Sequence, residues 1–260
     1  MEIQPDYYHA ADFWVYAQLQ LAQDVKARDL IEKASNTADT GTRQVTIVNF
    51  TALAAMPARY ALERGDWKGA AGLAVKTTEF PAADSLTRFA RGLGMARSGD
   101  AAGAKGEIEA MQALKSGLTK SNQGYWADRT QEQIDGVAAW VALAEGARDR
   151  ARQLMRAAAD SEDKSVKHVA MENRLYPMRE LLGDLLLESG DSAVALKEYE
   201  AALKETPNRY RGLWGAARAA EATGDRKKAR EYYGGLVTLA KNADSARPEF
   251  RGAQAFLAQK

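Results

Sequence analysis

Apolar residues recur along this chain at helical spacing, in paired stretches separated by a short polar turn. "MRELLGDLLLES" (178–189) is followed by Gly190-Asp191 and then by "AVALKEYEAAL" (193–203). "LWGAARAAEAT" (213–223), Gly224-Asp225 and "KKAREYYGGLV" (227–237) repeat the arrangement. The pattern predicts helix pairs at about 7–21/25–36, 46–64/67–79, 83–97/101–115, 131–145/148–160, 174–188/192–205 and 209–222/226–241. A last helix over 248–258, opened by Pro248, would cover the end of the stack, whose final pair otherwise has no neighbour. Pro57 falls inside a predicted helix and implies a kink there. Two connections, 116–130 and 160–174, exceed an ordinary turn; they read as insertions, as functional loops, or as changes of direction.

The turns keep a period. Gly190 and Gly224 are 34 residues apart, as are Gly65 and Gly99. Five residues after each lies an alanine: Ala195, Ala229, Ala70 and Ala104. Gly146/Ala151 and Ala22/Ala27 keep the same offset, which makes six units. Glycine accepts φ > 0 just past a helix, and the aspartate after it can cap the next one. The alanine is placed where two antiparallel helices approach, so a larger side chain would force them apart. Tyr199 and Tyr233 follow one turn later on the same face. Pro207 ends a helix by lacking the N–H that continuation needs.

With Gly183 inside the first helix, Gly190 at the turn, Ala195 and Ala202 at packing positions, Tyr199 as the aromatic and Pro207 as the stop, the chain resembles the tetratricopeptide repeat family. "MPARYALERGDW", "FARGLGMARSGD", "LMRAAADSEDKSVKH" and the stretch from Arg179 to Asp225 further resemble the C-terminal half of a group of large bacterial proteins of that family. Those relatives carry more repeats upstream, often behind an export signal. The resemblance implies an all-α, right-handed superhelix of six hairpins with a C-terminal cap, spanning 1–260 as one array. It also implies a concave face lined by the first helices. Carried over position by position, that face receives His9, Asp12 and Tyr16, then Arg59 and Glu63, Phe89 and Arg97, and Gln133 and Trp140. The last two repeats contribute Glu180, Asp184 and Glu188, then Arg211, Trp214, Arg218 and Glu221.

Composition narrows the functions rather than the fold. Hydrophobic residues at 46% and charged residues at 27% are those of an ordinary globular protein. A net charge of +1 with no basic run gives no footprint for nucleic acid, so none is expected as a partner. No apolar stretch reaches the length of a membrane span, and "MEIQPDYYHAADFW" lacks the basic-then-apolar order of a signal peptide. The compartment stays open.

Cysteine is absent, which removes disulfides and thiolate chemistry. His9 and His168 are the only histidines, and no metal-ligand spacing joins them to carboxylates. There is no phosphate loop and no nucleophile elbow; "GLGMARSG" belongs to a repeat turn, and the "NFT" at 49–51 opens a helix. We therefore expect no cofactor, no metal and no enzyme. The expected activity is non-catalytic: a protein-interaction scaffold that binds a peptide or partner domain through Arg59, Trp140, Glu180, Asp184, Arg211, Trp214 and Arg218. Trp beside Arg is the composition of binding hot spots. A plainer reading pairs Asp184 and Glu180 with Arg218 and Arg211 between adjacent helices. The clamp that some family members place on chaperone tails is not matched, because Asp12, Tyr16, Met56, Leu86 and Ala90 stand at its positions, or Gly136, Trp140, Leu181, Arg211 and Gly215 in the later repeats. The alternative is self-assembly, as a homo-oligomer or as a structural module against missing N-terminal repeats. The aromatic "ADFWVYAQLQLA" (11–22) suggests this, because it needs a neighbour.

Overall fold

The six alanines five residues past each turn are all fully buried, each at 0% exposure (Ala27, Ala70, Ala104, Ala151, Ala195 and Ala229). The computed structural model describes residues 7–40, 46–166 and 174–259. The described residues form thirteen helices and no strand. They are α1 (Tyr7–Gln20), α2 (Asp24–Thr40), α3 (Ile47–Glu63), α4 (Trp67–Ala71), α5 (Pro81–Ser98), α6 (Ala101–Lys120) and α7 (Gly124–Ala144). After them come α8 (Arg148–Asp163), α9 (Met178–Glu188), α10 (Ser192–Glu205), α11 (Tyr210–Ala222), α12 (Arg226–Leu239) and α13 (Pro248–Ala258). Each pair packs within itself. Each odd-numbered helix from α1 to α9 also packs on the next odd-numbered one, so the pairs stack as a helical solenoid.

The turns behave as their chemistry requires. Gly65, Gly99, Gly146, Gly190 and Gly224 all have φ between 63° and 95°. Ala22 takes the same left-handed conformation in the first pair, at φ 54°, at a steric cost that glycine would not carry. Asp66, Asp100 and Asp225 each accept a hydrogen bond from the backbone N–H three residues on, capping α4, α6 and α12. Asp191 does not cap α10; its carboxylate pairs with Arg152 instead. Tyr199 lies flat against two glycines: a Cβ at Gly183 would stand 2.8 Å from its ring and one at Gly215 only 2.2 Å.

Three boundaries correct the periodic reading. The second helix of the second pair stops at Ala71 instead of 79, and residues 72–80 are irregular. Gly72, the β-branched Val75, Thr77 and Thr78, and Pro81 disfavour helix there. Residues 116–130 are no long connection. They are the end of α6, a turn at 121–123 with Asn122 at φ 57°, and the start of α7. Trp126 and Ala127 hold that start by packing on Ala82 and Leu118 in a small core of their own. Finally, α9 begins at Met178, after Pro177, not at 174. Within the 160–174 connection, residues 167–173, including His168, lie outside the described residues. Pro57 sits inside α3, which runs on through it.

The array's two ends meet. The turn between α1 and α2 lies against residues 242–247, which lead into α13. The carboxylate of Asp244 accepts from the N–H groups of Val25 (3.0 Å) and Lys26 (3.1 Å), capping α2 from the far end of the chain. The Gln20 side chain accepts from the Tyr210 N–H at 2.9 Å.

Candidate functional site: a filled concave face and an outer cleft

Seven residues were expected to line an open concave face; the structure buries three of them, Arg59, Trp140 and Glu180, and engages Asp184 and Arg211 in contacts within the chain. Arg59, on α3, is 1% exposed. It donates to Asp12 at 3.3–3.4 Å and to the Arg174 carbonyl at 3.0 Å. Glu180, also 1% exposed, accepts from Arg209 at 2.7 and 3.1 Å, and Arg209 pairs on its other side with Glu63 at 2.7 Å. Asp184 accepts from the hydroxyls of Tyr176 and Tyr199, both at 2.6 Å. Arg211 donates to Tyr176 at 2.6 Å and lies 3.7 Å from Asp184. Trp140 is buried, with the Arg97 guanidinium held between its ring (3.8 Å) and that of Trp67 (4.1 Å). Arg59, Trp140 and Glu180 are thus buried, with the charges of Arg59 and Glu180 paired to neighbours within the array.

The interhelical pairing differs from the simple one. Asp184 pairs with Arg211 and Arg97, and Glu180 with Arg209. Arg209 follows directly on the Pro207-Asn208 turn, where a charged residue reads as solvated, and nothing in the repeat pattern marked it. Trp214 and Arg218 keep accessible surface, at the far end of the array. Trp214 packs on Tyr233 (ring centroids 5.6 Å apart) and against Gly252 of α13, with Arg218 5.9 Å above its ring.

The buried charges balance locally. Burial pushes the Glu63 carboxyl up, but Arg209, Arg211 and Arg59 outweigh it and hold it below the ordinary range. Burial raises Glu180, with Glu63 and Asp184 adding to the effect against the pull of Arg209. Burial also pushes up Asp184, but Arg211 and Arg97 together bring it below its ordinary value.

A second buried acid pair lies between α7 and α8. Glu132 accepts from Arg129 and Ser161, both at 2.7 Å. Glu162 accepts from the Met178 N–H at 2.8 Å and pairs with Arg174 at 3.4 Å, so it pins the start of α9. Burial pushes both carboxyls up to about 7. Both therefore retain a proton that an unfolded chain releases near the ordinary value of 4.5. Between those values the folded state binds more protons than the unfolded one, so stability falls as pH rises through the window. Asp135, Glu180 and Glu188 are raised and act with the same sign. The depressed groups Asp24, Glu63 and Asp184 act only below the window. The fold is expected to be more stable near pH 5.5 than near pH 8, by on the order of 3 kcal/mol, and to melt at a correspondingly higher temperature. The double variant E132Q/E162Q should flatten the profile; a wild-type midpoint that rises with pH would contradict the assignment.

The open concavity lies on the outer layer. Because α4 ends after five residues, irregular chain rather than helix runs beside α3 and α5 over residues 72–80. A cleft of about 540 Å³ remains there. Phe50, Leu53, Ala54 and Pro57 of α3 form its floor, Ala83 and Thr87 of α5 one side, and Leu73, Ala74, Lys76, Thr77 and Thr78 the wall. Its floor is apolar, and Ser35, Lys76, Thr77, Thr78, Asp84 and Thr87 are its polar lining. Sequence reasoning missed it by extending α4 to 79; the signal available was the run from Val75 to Pro81.

Among the described residues no group of three or more His, Asp or Glu could hold a metal ion, and no helix is long and apolar enough to cross a membrane. No protein-family model matches the chain, and no curated protein matches it either.

Proposed function

We propose that the chain is a tetratricopeptide-like array, a right-handed superhelix of six hairpins and a cap, working as a non-catalytic protein-interaction scaffold. The 34-residue spacing and its six fully buried alanines support the family likeness. The observation that carries the function is the cleft beside α4. It is a sizeable concavity left open in an array whose concave face is filled by its own ion pairs. On this reading the partner engages the outer layer, and the concave residues hold the array in shape. Of the expected contact set Arg218 is exposed, and Trp214, at the same end of the array, is half-buried. The test is capture of partners by the tagged chain, by an A54F variant that fills the cleft, and by W214A/R218A. A protein retained by the native chain and released by A54F supports cleft binding, whereas release by W214A/R218A alone moves the contact to the C-terminal end. If the native chain retains nothing, the scaffold reading falls.

Self-assembly, or docking on a preceding repeat, is favoured by one specific feature. Trp14 on α1 is 64% exposed, and Leu21 beyond the same helix is 37% exposed. The C-terminal end is covered by α13, while this face of α1 is bare among the described residues. Sedimentation should then show concentration-dependent association that W14S abolishes. A native chain that stays monomeric at the highest attainable concentration sinks this second reading.

A further inference from the structure

The wall of the outer cleft is a piece of chain built like an unpaired strand. Residues 72–76 alternate between exposed and half-buried: Gly72, Ala74 and Lys76 are exposed, with Ala74 and Lys76 lining the cleft, while Leu73 and Val75 are half-buried. Period two is the signature of extended backbone, and Val75, Thr77 and Thr78 are residues that favour it. Both ends of the stretch are fixed. The Leu73 carbonyl accepts from Arg91 at 2.6 Å, and Arg91 is itself held by Glu107. At the other end Asp84 accepts from the Thr78 N–H at 3.1 Å and from its hydroxyl at 2.7 Å. Between these anchors the N–H groups of Ala74, Val75, Lys76 and Thr77 have no hydrogen-bond partner among the described residues. The floor has a similar gap, because Pro57 lacks the N–H that the Leu53 carbonyl would meet in an uninterrupted helix.

We propose that this cleft binds an extended peptide segment of a partner protein. The peptide's main chain pairs with the backbone of residues 74–77, and its alternate apolar side chains enter the cleft over Phe50, Leu53 and Pro57. The inference rests on the scaffold reading and names the chemistry of its ligand. Main-chain pairing supplies affinity without sequence, and the cleft selects every second side chain. An amphipathic helix completing the truncated hairpin would leave unpaired even the alternate amides of 74–77 that an extended neighbour could meet. A small apolar molecule would do the same. A row of amides anchored at both ends favours the extended peptide over either, because ordering the wall has already been done within the fold.

A phage-displayed library of random dodecapeptides, panned on the full chain, tests this directly. Enriched peptides should show apolar residues at alternate positions and should bind the purified chain in solution. The A54F variant, checked for unchanged helicity, should weaken them about tenfold or more. N-methylation of alternate peptide amides should cost about tenfold in one register and little in the other, since only one set of amides faces the wall. This measurement leaves the protein unaltered, so misfolding cannot mimic it. Apolar residues at spacings of three and four would mean a helix and overturn the proposal. So would binding that A54F reduces but N-methylation leaves intact, or a library from which no A54F-sensitive peptide emerges. Capture experiments on the native chain judge the scaffold reading separately: a partner retained by the native chain, in the absence of any such peptide, sinks the extended-peptide proposal alone.

Discussion

Replacing Arg209 by methionine is expected to cost the fold on the order of 3–5 kcal/mol, lowering the thermal midpoint by roughly 10 °C. The Arg209 side chain is 2% exposed and sits between the carboxylates of Glu63 and Glu180, which are 0% and 1% exposed. One guanidinium therefore bridges two acids, one on α3 and one on α9, with Arg211 and Arg59 adding to its pull on Glu63. Without it, two like charges remain in a place where neither meets water, and each raises the other. Methionine keeps most of the volume, so the loss reads the charge rather than a cavity. The cost is that of stranding the acids, not the worth of the triad. The triple variant R209M/E63Q/E180Q should therefore recover a large part of it. Thermal and urea unfolding of the three chains decide the matter. A midpoint for R209M within about 2 °C of the native one would mean that the acids simply take up protons at little cost.

What the sequence made legible was everything local. A glycine at φ > 0, an aspartate three residues before the N–H it caps and an alanine at a helix crossing are each fixed by neighbours within a turn or two. Their 34-residue recurrence was therefore enough to place hairpins and the α13 cap. The α4 truncation was hidden because helix period and the Val75–Pro81 run compete over nine residues, and the packing of Asp84 on Thr78 decides between them. The α6–α7 turn was hidden for the opposite reason. "SGLTKSNQGYWADRT" looks polar, yet Trp126 and Ala127 find Ala82 and Leu118, which lie on α5 and at the end of α6. The expected groove residues were identified as charged and aromatic positions on first helices. Whether they meet a partner or each other depends on how far the array curves, and no residue encodes curvature alone. Here the curve brings α11 back to α1 and α3, and Arg209, Arg211 and Arg247 become internal.

Arg247 is the point at which that closure can be undone. Its guanidinium is 4% exposed and donates to both carboxylate oxygens of Asp24, from Nε at 3.2 and 3.0 Å and from Nη2 to one of them. Nη2 also meets the Leu19 carbonyl at 3.1 Å and Nη1 the Glu63 carbonyl at 3.4 Å, at the C-terminal ends of α1 and α3 where free carbonyls and the helix dipole favour a cation. The Tyr210 ring lies 4.6 Å below. Burial alone would push Asp24 up, yet Arg247, Ser245 and Arg64 hold it below the ordinary carboxylate range. An R247A chain leaves Asp24 buried with Arg64 alone among these cations, and should lose on the order of 3–5 kcal/mol. The loss should be localised, because α13 remains packed on α12 through Phe256 and Tyr233. Amide exchange should therefore accelerate across α1 and α2 while α7 to α10 keep their protection, and the radius of gyration should grow as the ends part. R247K should behave almost as badly, since an ammonium cannot span two carboxylate oxygens and two carbonyls in one plane. Salt should change little, because the pair is shielded from the solvent ions. If exchange instead rises uniformly through all six hairpins, the clasp belongs to one cooperative fold and the array has no separate opening step. If it rises only at the ends, the Arg247–Asp24 clasp opens separately from the rest of the array.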